Sequence, residues 1–323
     1  MKDEFPLSWH SRAVKRTLAI AVLALVVLYF VVPKLHAFGL NTIKIYPPHL
    51  GYLVAAALLY LIVFICSSIS YRLLAVAKLK QSRLLLIQFA SVPINLLLPA
   101  GIGNISINYL YLRNHSQSGS QAGLVVGINN VIGVLGNVSL IIFLIAVFGI
   151  NHSVLAAYER HGNYILAAIA ALVVLGVITA WLFSSNIKKI KQIRHHLETA
   201  FSNYRHRPLN LFGAYVMSLV QALATALAFW FCLRAYGIDL SYAVGFLIYS
   251  LSVVVGALVP TPGGLGGVEA SLTAGLVASH ASAAALSLTA VLAYRAVTFW
   301  LPMIIGAFAL MAVERLRLIR WRQ

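Results

Sequence analysis

Two ionisable residues stand where ionisable residues are costly: Glu269, directly after a run of glycines, and Arg295, inside a long apolar stretch. A charged group within a membrane span is by default a functional candidate, and it requires a partner. The segment Val259-Pro-Thr-Pro-Gly-Gly-Leu-Gly-Gly-Val-Glu-Ala270 contains Pro262, Gly263, Gly264 and Gly266. Glycines let backbone amides approach a ligand closely, and the helix opened by Val268-Glu269 offers its N-terminus to an anion such as a lipid phosphate. The competing reading is structural, with glycines for close helix crossing and Glu269 as the cap of its own helix. Counting from a turn near Ala281, Glu269 lies twelve residues before it and Arg295 fourteen after. At ~1.5 Å per residue both stand roughly 20 Å from that end, so the two can pair. Such a pair either opens to admit a phosphate or serves as a permanent bridge. Tyr294, beside Arg295, joins the candidate substrate contacts.

A second polar set surrounds Pro99-Ala-Gly-Ile-Gly103: Asn95, Asn104, Ser106 and Asn108, then Tyr109 and Tyr111 leading to Arg113. Asn104 and Asn108 are candidate headgroup contacts, with interhelical hydrogen bonding as the alternative. Close helix packing is the better reading for Gly123, Gly127, Asn129, Asn130, Gly133, Gly136 and Asn137. Other chemistry is sparse. No paired carboxylates, nucleophile–base set or zinc spacing is present, and no cofactor is expected. His195, His196 and His206 fall in a basic loop without metal-ligand spacing. Cys66 and Cys232 lie inside apolar stretches and read as small core residues. The glycines at 263–267 lack the Lys-Ser/Thr that would make a phosphate-binding P-loop.

The elements that must hold these groups are apolar helices. Of 323 residues 61% are hydrophobic and 10% charged, against roughly a quarter charged in soluble domains. The fold class is therefore an all-α polytopic membrane protein, one integral membrane domain over residues 1–323. Spans are expected at 17–35, 50–73, 122–148, 164–183, 209–236 and 283–312, each long enough to cross roughly 30 Å of hydrocarbon. Two further stretches are broken, 84–113 by Pro99 to Gly103 and 242–279 by Pro260 to Gly267. Broken backbone survives at membrane depth only where protein or a wet cavity covers it, so two re-entrant hairpins are expected. Eight spanning helices are the alternative. Lys15 and Arg16 before the first span resemble a signal sequence, but without a small-x-small site it reads as an uncleaved helix.

A net charge of +17 can signal nucleic acid, yet here the basic residues cluster just outside the spans. With the N-terminus inside, 19 of 24 Lys and Arg fall on the inner side, including the basic loop 185–208 and the C-terminal tail. This is the positive-inside pattern, with attraction to anionic lipid, and nucleic acid is not an expected partner. The same topology sets the hairpins on opposite sides. Leu-Pro-Ala-Gly-Ile-Gly at 98–103 also resembles Thr-Pro-Gly-Gly-Leu-Gly at 261–266. Half-repeats over about 50–148 and 209–312, inverted with respect to each other, are the expected organisation.

The run Val259 to Ala270, with Leu292-Ala-Tyr-Arg295 and Phe299-Trp-Leu-Pro302, resembles the lysylphosphatidylglycerol synthetase transmembrane (flippase-like) family. In the multiple peptide resistance factors, a membrane part of this kind flips an aminoacylated lipid made by a fused soluble synthetase. Free-standing bacterial inner-membrane relatives of about this length exist. The resemblance implies hallmark roles for Pro262, Gly263, Gly264, Gly266, Glu269 and Arg295. At the first break it implies an acid after the glycine and an arginine soon after, where this chain has Asn104, Ile107 and Asn108. The chain stops soon after its last span, so a synthetase is expected only as a separate partner.

The resulting expectation is transbilayer movement of a phospholipid or other phosphate-bearing lipid across a bacterial inner membrane, with both termini cytoplasmic. Its rivals are a non-catalytic partner of a lipid-modifying or envelope enzyme and, with a single deep carboxylate to work with, an integral enzyme on a lipid-linked substrate.

Overall fold

The computed structural model describes residues 47–97, 102–115, 117–148, 204, 207–258 and 264–319. The described residues form helices: α1 Leu50–Leu74, α2 Gln81–Leu97, α3 Ile102–Asn114, α4 Gly119–Phe148, α5 Pro208–Ala235, α6 Tyr242–Leu258, α7 Gly267–Ala278, α8 Ala284–Arg295, a π segment Ala296–Trp300 and α9 Leu301–Arg315. Among them, Leu50–Leu74, Gly119–Phe143, Pro208–Ala235 and Ala284–Arg315 are long and apolar enough to cross a membrane. The protein is thus an all-helical polytopic membrane protein. The spans expected at 17–35 and 164–183 lie outside the described residues, as does most of the loop 185–208.

The centre is an antiparallel pair, α1 against α5. At one end the His49 amide donates to the Ala235 carbonyl at 2.8 Å. At the other, Asn210 Nδ2 donates to the Leu73 carbonyl at 3.0 Å and the Tyr204 hydroxyl to the Leu74 carbonyl at 2.6 Å. Burial pushes the Tyr204 phenol up to about 12, against the lowering influence of Arg207, so it keeps the proton it donates.

Each long helix leads into a broken pair. In α2/α3 the Gly103 Cα faces Asn95 so closely that a Cβ would stand 2.5 Å from the Asn95 Cα, and Gln88 bonds Asn108. In α6/α7 Ser271 bonds Ser252, and Ile248 lies against Gly275. Contacts that step back along one arm as they step forward along the other define an antiparallel hairpin. With 12 to 17 residues per arm, each returns the chain to the end it came from. The α2/α3 hairpin leaves from the Leu74 end of the central pair and α6/α7 from the Ala235 end, so they enter from opposite ends. The helix resumes at Ile102, so Gly103, expected within the pause, is helical.

The ends differ in charge. Among the described residues, Arg72, Lys78, Lys80, Arg83, Arg113, Arg207, Arg315 and Arg317 gather at the Leu74 end, and Arg234 stands at the other. There Arg234 pairs with Asp239 at 2.9 Å and covers the Trp230 ring at 4.9 Å. Trp230 Nε1 donates to the Leu240 carbonyl at 2.7 Å, which fixes the corner between α5 and α6. The cysteines Cys66 and Cys232 are free and buried.

Candidate functional site

The tip of the α6/α7 hairpin builds the site. Gly264 and Gly266 have φ of +67° and +88°, values that favour glycine because an L side chain clashes there. Gly266 is the N-cap of α7, and its amide donates to Glu269 Oε2 at 2.5 Å. This is the glutamate arm of a capping box, the arm available when a glycine holds the cap. Glu269 Oε1 faces Arg295 of α8 at 3.1 Å from Nε. One carboxylate therefore caps its helix and pairs with the arginine at once.

The pair is largely buried, at 11% exposure for the Arg295 side chain and 15% for Glu269. It is nonetheless loosely bonded. Nε has no aligned hydrogen bond among the described residues, and Nη2 donates to the Gly264 carbonyl at a long 3.4 Å. A guanidinium carries five N–H donors, so these contacts leave most of its capacity uncommitted. The Phe299 ring lies 5.6 Å from the guanidinium carbon, a cation–π distance.

Immediately after Arg295 the helix widens into the π segment, where the Leu301 amide reaches back to the Ala296 carbonyl. Pro302 supplies a cause: in a regular helix its ring would strike the Thr298 carbonyl. The Thr298 hydroxyl donates to the Tyr294 carbonyl at 2.8 Å. Single π turns of this kind recur at functional sites. Sequence reading missed the π segment, the Phe299 contact and the Gly264 carbonyl; Pro302 signalled the first, and its four-residue spacing from Arg295 signalled Phe299.

The other candidate residues lie elsewhere. Tyr294 is 4% exposed and turns into an aromatic cluster, 5.2 Å from Phe229 and 6.3 Å from Tyr249 between ring centres. Asn104 and Asn108 belong to a chain of hydrogen bonds across α1, α2 and α3. Ser67 donates to Gln88 at 3.0 Å, and Gln88 to Asn108 at 2.8 Å. Asn108 Nδ2 donates to both the carbonyl and Oδ1 of Asn104, and the Asn104 amide to Asn95 Oδ1 at 3.4 Å. Pro262 and Gly263, like Pro99, lie outside the described residues. Among the described residues no group of three His, Cys, Asp or Glu could hold a metal ion.

The amide network yields a stability prediction. Asn108→Leu strands the Gln88 amide and the Asn104 Oδ1, at an expected cost of about 1–3 kcal/mol. Adding Gln88→Leu should recover much of that loss, because neighbours sharing one network are non-additive. Melting temperatures of the two singles and the double check it, and simple additivity would refute the coupling.

No curated protein matches the chain at a significant level. The family model for the lysylphosphatidylglycerol synthase TM region, however, matches residues 16–306, a stretch containing both hairpins, Glu269 and Arg295. The chain belongs to the lysylphosphatidylglycerol synthase TM region family, membrane proteins of lipid metabolism or transport.

Proposed function

We propose that the protein moves an anionic, phosphate-bearing lipid between the two leaflets of a bacterial inner membrane, without making or breaking covalent bonds. The observation that carries this reading is the buried Glu269–Arg295 pair at a broken-helix tip. A phosphate has the charge and geometry to replace the carboxylate on the guanidinium, since Arg recognises both groups in the same forked manner. Residues Pro262 to Gly266 and Arg295 receive the headgroup, while the acyl chains stay in lipid. The two halves, about 50–148 and 209–312, act as inverted repeats that open the site alternately to either side. The basic end faces the cytoplasm, by the positive-inside rule, with both chain termini there. A lipid modified by a separate synthetase would reach the site laterally through the membrane.

The test is leaflet exchange of fluorescent phosphatidylglycerol in vesicles holding the purified protein. Wild type should exchange lipid, and Glu269→Gln and Arg295→Lys should each slow exchange at least tenfold at matched, folded protein density. Wild-type vesicles no faster than empty ones, across common anionic headgroups, would sink the reading. The partner reading would then lead, with stable copurification of a lipid-modifying enzyme as its mark.

A further inference from the structure

The described residues include four threonines, and three return their hydroxyl to the carbonyl four residues back: Thr225 to Gln221 at 2.7 Å, Thr289 to Ala285 at 2.8 Å and Thr298 to Tyr294 at 2.8 Å. That local bond is the usual way a hydroxyl is satisfied inside a helix surrounded by hydrocarbon. Thr273 breaks the pattern. Its Oγ1 is buried and has no hydrogen-bond partner among the described residues. A buried hydroxyl left unpaired costs free energy, and a ligand oxygen within reach would relieve that cost.

Its direction follows from the hairpin register. Ser271 and Gly275 form the face of α7 that meets α6, through Ser252 and Ile248. Residues two positions along a helix turn about 200° away, so Glu269 and Thr273 share the opposite face. That face is the one meeting α8, as the Glu269–Arg295 contact shows. Glu269 and Thr273 are four residues apart, which sets their Cβ atoms about 5–6 Å from each other. The unpaired hydroxyl therefore sits one turn from the carboxylate that pairs with Arg295, toward the Ala235 end of the molecule, and the Arg295 Nε also lacks an aligned partner.

From this juxtaposition we infer that Thr273 is a substrate-positioning residue, donating its hydroxyl to a phosphodiester oxygen of the lipid headgroup held by Arg295. The inference rests on the lipid-transport reading and adds to it the second donor. Arg295 supplies charge, and Thr273 supplies a neutral, directional donor one helical turn away. Together they define a bridging phosphodiester, with oxygens on two sides, as the recognised group.

The experiment titrates purified, detergent-solubilised protein with short-chain phosphatidylglycerol and measures affinity alongside the melting temperature of the unliganded protein. Thr273→Val keeps the shape and removes the hydroxyl; Thr273→Ser keeps the hydroxyl. Thr273→Val should bind about tenfold more weakly, the loss expected for one hydrogen bond to a charged group. Thr273→Ser should stay within about twofold of wild type, and Thr273→Val should melt no lower than wild type, because it removes an unpaired polar group. Equal binding by wild type and Thr273→Val would overturn the assignment and leave the transport reading intact. A lower melting temperature for Thr273→Val, without rescue by serine, would make the residue structural and overturn it equally. Wild-type protein that binds no phosphatidylglycerol, or binds the matching diacylglycerol as well, would overturn both.

Discussion

Arg295→Ala should abolish lipid exchange and also destabilise the protein by about 3–5 kcal/mol, the cost of stranding one member of a buried ion pair. Glu269 is 15% exposed, so the carboxylate left behind has little water to turn to. Among the described residues the Gly266 amide would remain its one hydrogen-bond partner in this site. Function and stability separate in the double variant. Glu269→Gln with Arg295→Met removes both charges while keeping much of the volume, and a buried pair replaced by neutral groups is often no less stable than the original. The double should therefore melt near wild type and still fail to exchange lipid. Thermal unfolding in detergent and vesicle exchange, run on the same preparations, read the two effects. An Arg295→Ala protein as stable as wild type would show that the pair is solvated and would remove the energetic argument for an opening site.

Gly306→Ala should be strongly damaging for the addition of a single methyl group. Pro93 lies inside α2 and removes the donor that would have bonded the Phe89 carbonyl. Gly306 of α9 packs directly against that carbonyl, where an added Cβ would collide with the oxygen and lie 2.7 Å from Pro93 Cδ. Neither neighbour is a flexible side chain, so the helices must separate, at an expected cost of about 2 kcal/mol or more. Gly127→Ala is the internal control. It is a helical glycine with nothing within 4 Å of an added Cβ, so the same methyl should be neutral or stabilise by about 0.5–1 kcal/mol. A comparison of the two melting temperatures decides the matter, and equal values would mean α9 is not seated tightly on α2.

The strongest local signals in the sequence were legible. Span 50–73 is realised as Leu50–Leu74 and span 209–236 as Pro208–Ala235, because long apolar runs bounded by turn residues leave the chain one economical structure. The Glu269–Arg295 pair could be found by counting along two helices from a shared turn, since helical rise is nearly constant. The turn is there: Ser279 caps α7 and His280 takes a φ of +55°. What counting cannot reach is phase and partnership between distant segments. The contact of α1 with α5 depends on surfaces far apart in the chain, and the unpaired state of Thr273 depends on a hydrogen bond that does not form. Asn104 and Asn108 mark the same limit. Their type suited both a headgroup and a neighbouring helix, and only their placement shows them bonded to Asn95 and Gln88.

The π segment has a mechanical meaning. One surplus residue shifts everything after it by about 100° around the helix axis relative to an unbroken α-helix. The same long helix thereby presents one side to the α7 hairpin arm, through Arg295, and a differently angled side to the α2 arm, through Gly306. It works as a crankshaft does, with two throws set at different angles on a single shaft and the wide turn as the web between them. Because α8 and α9 run on through the π segment as one helix, a single element supports both hairpins.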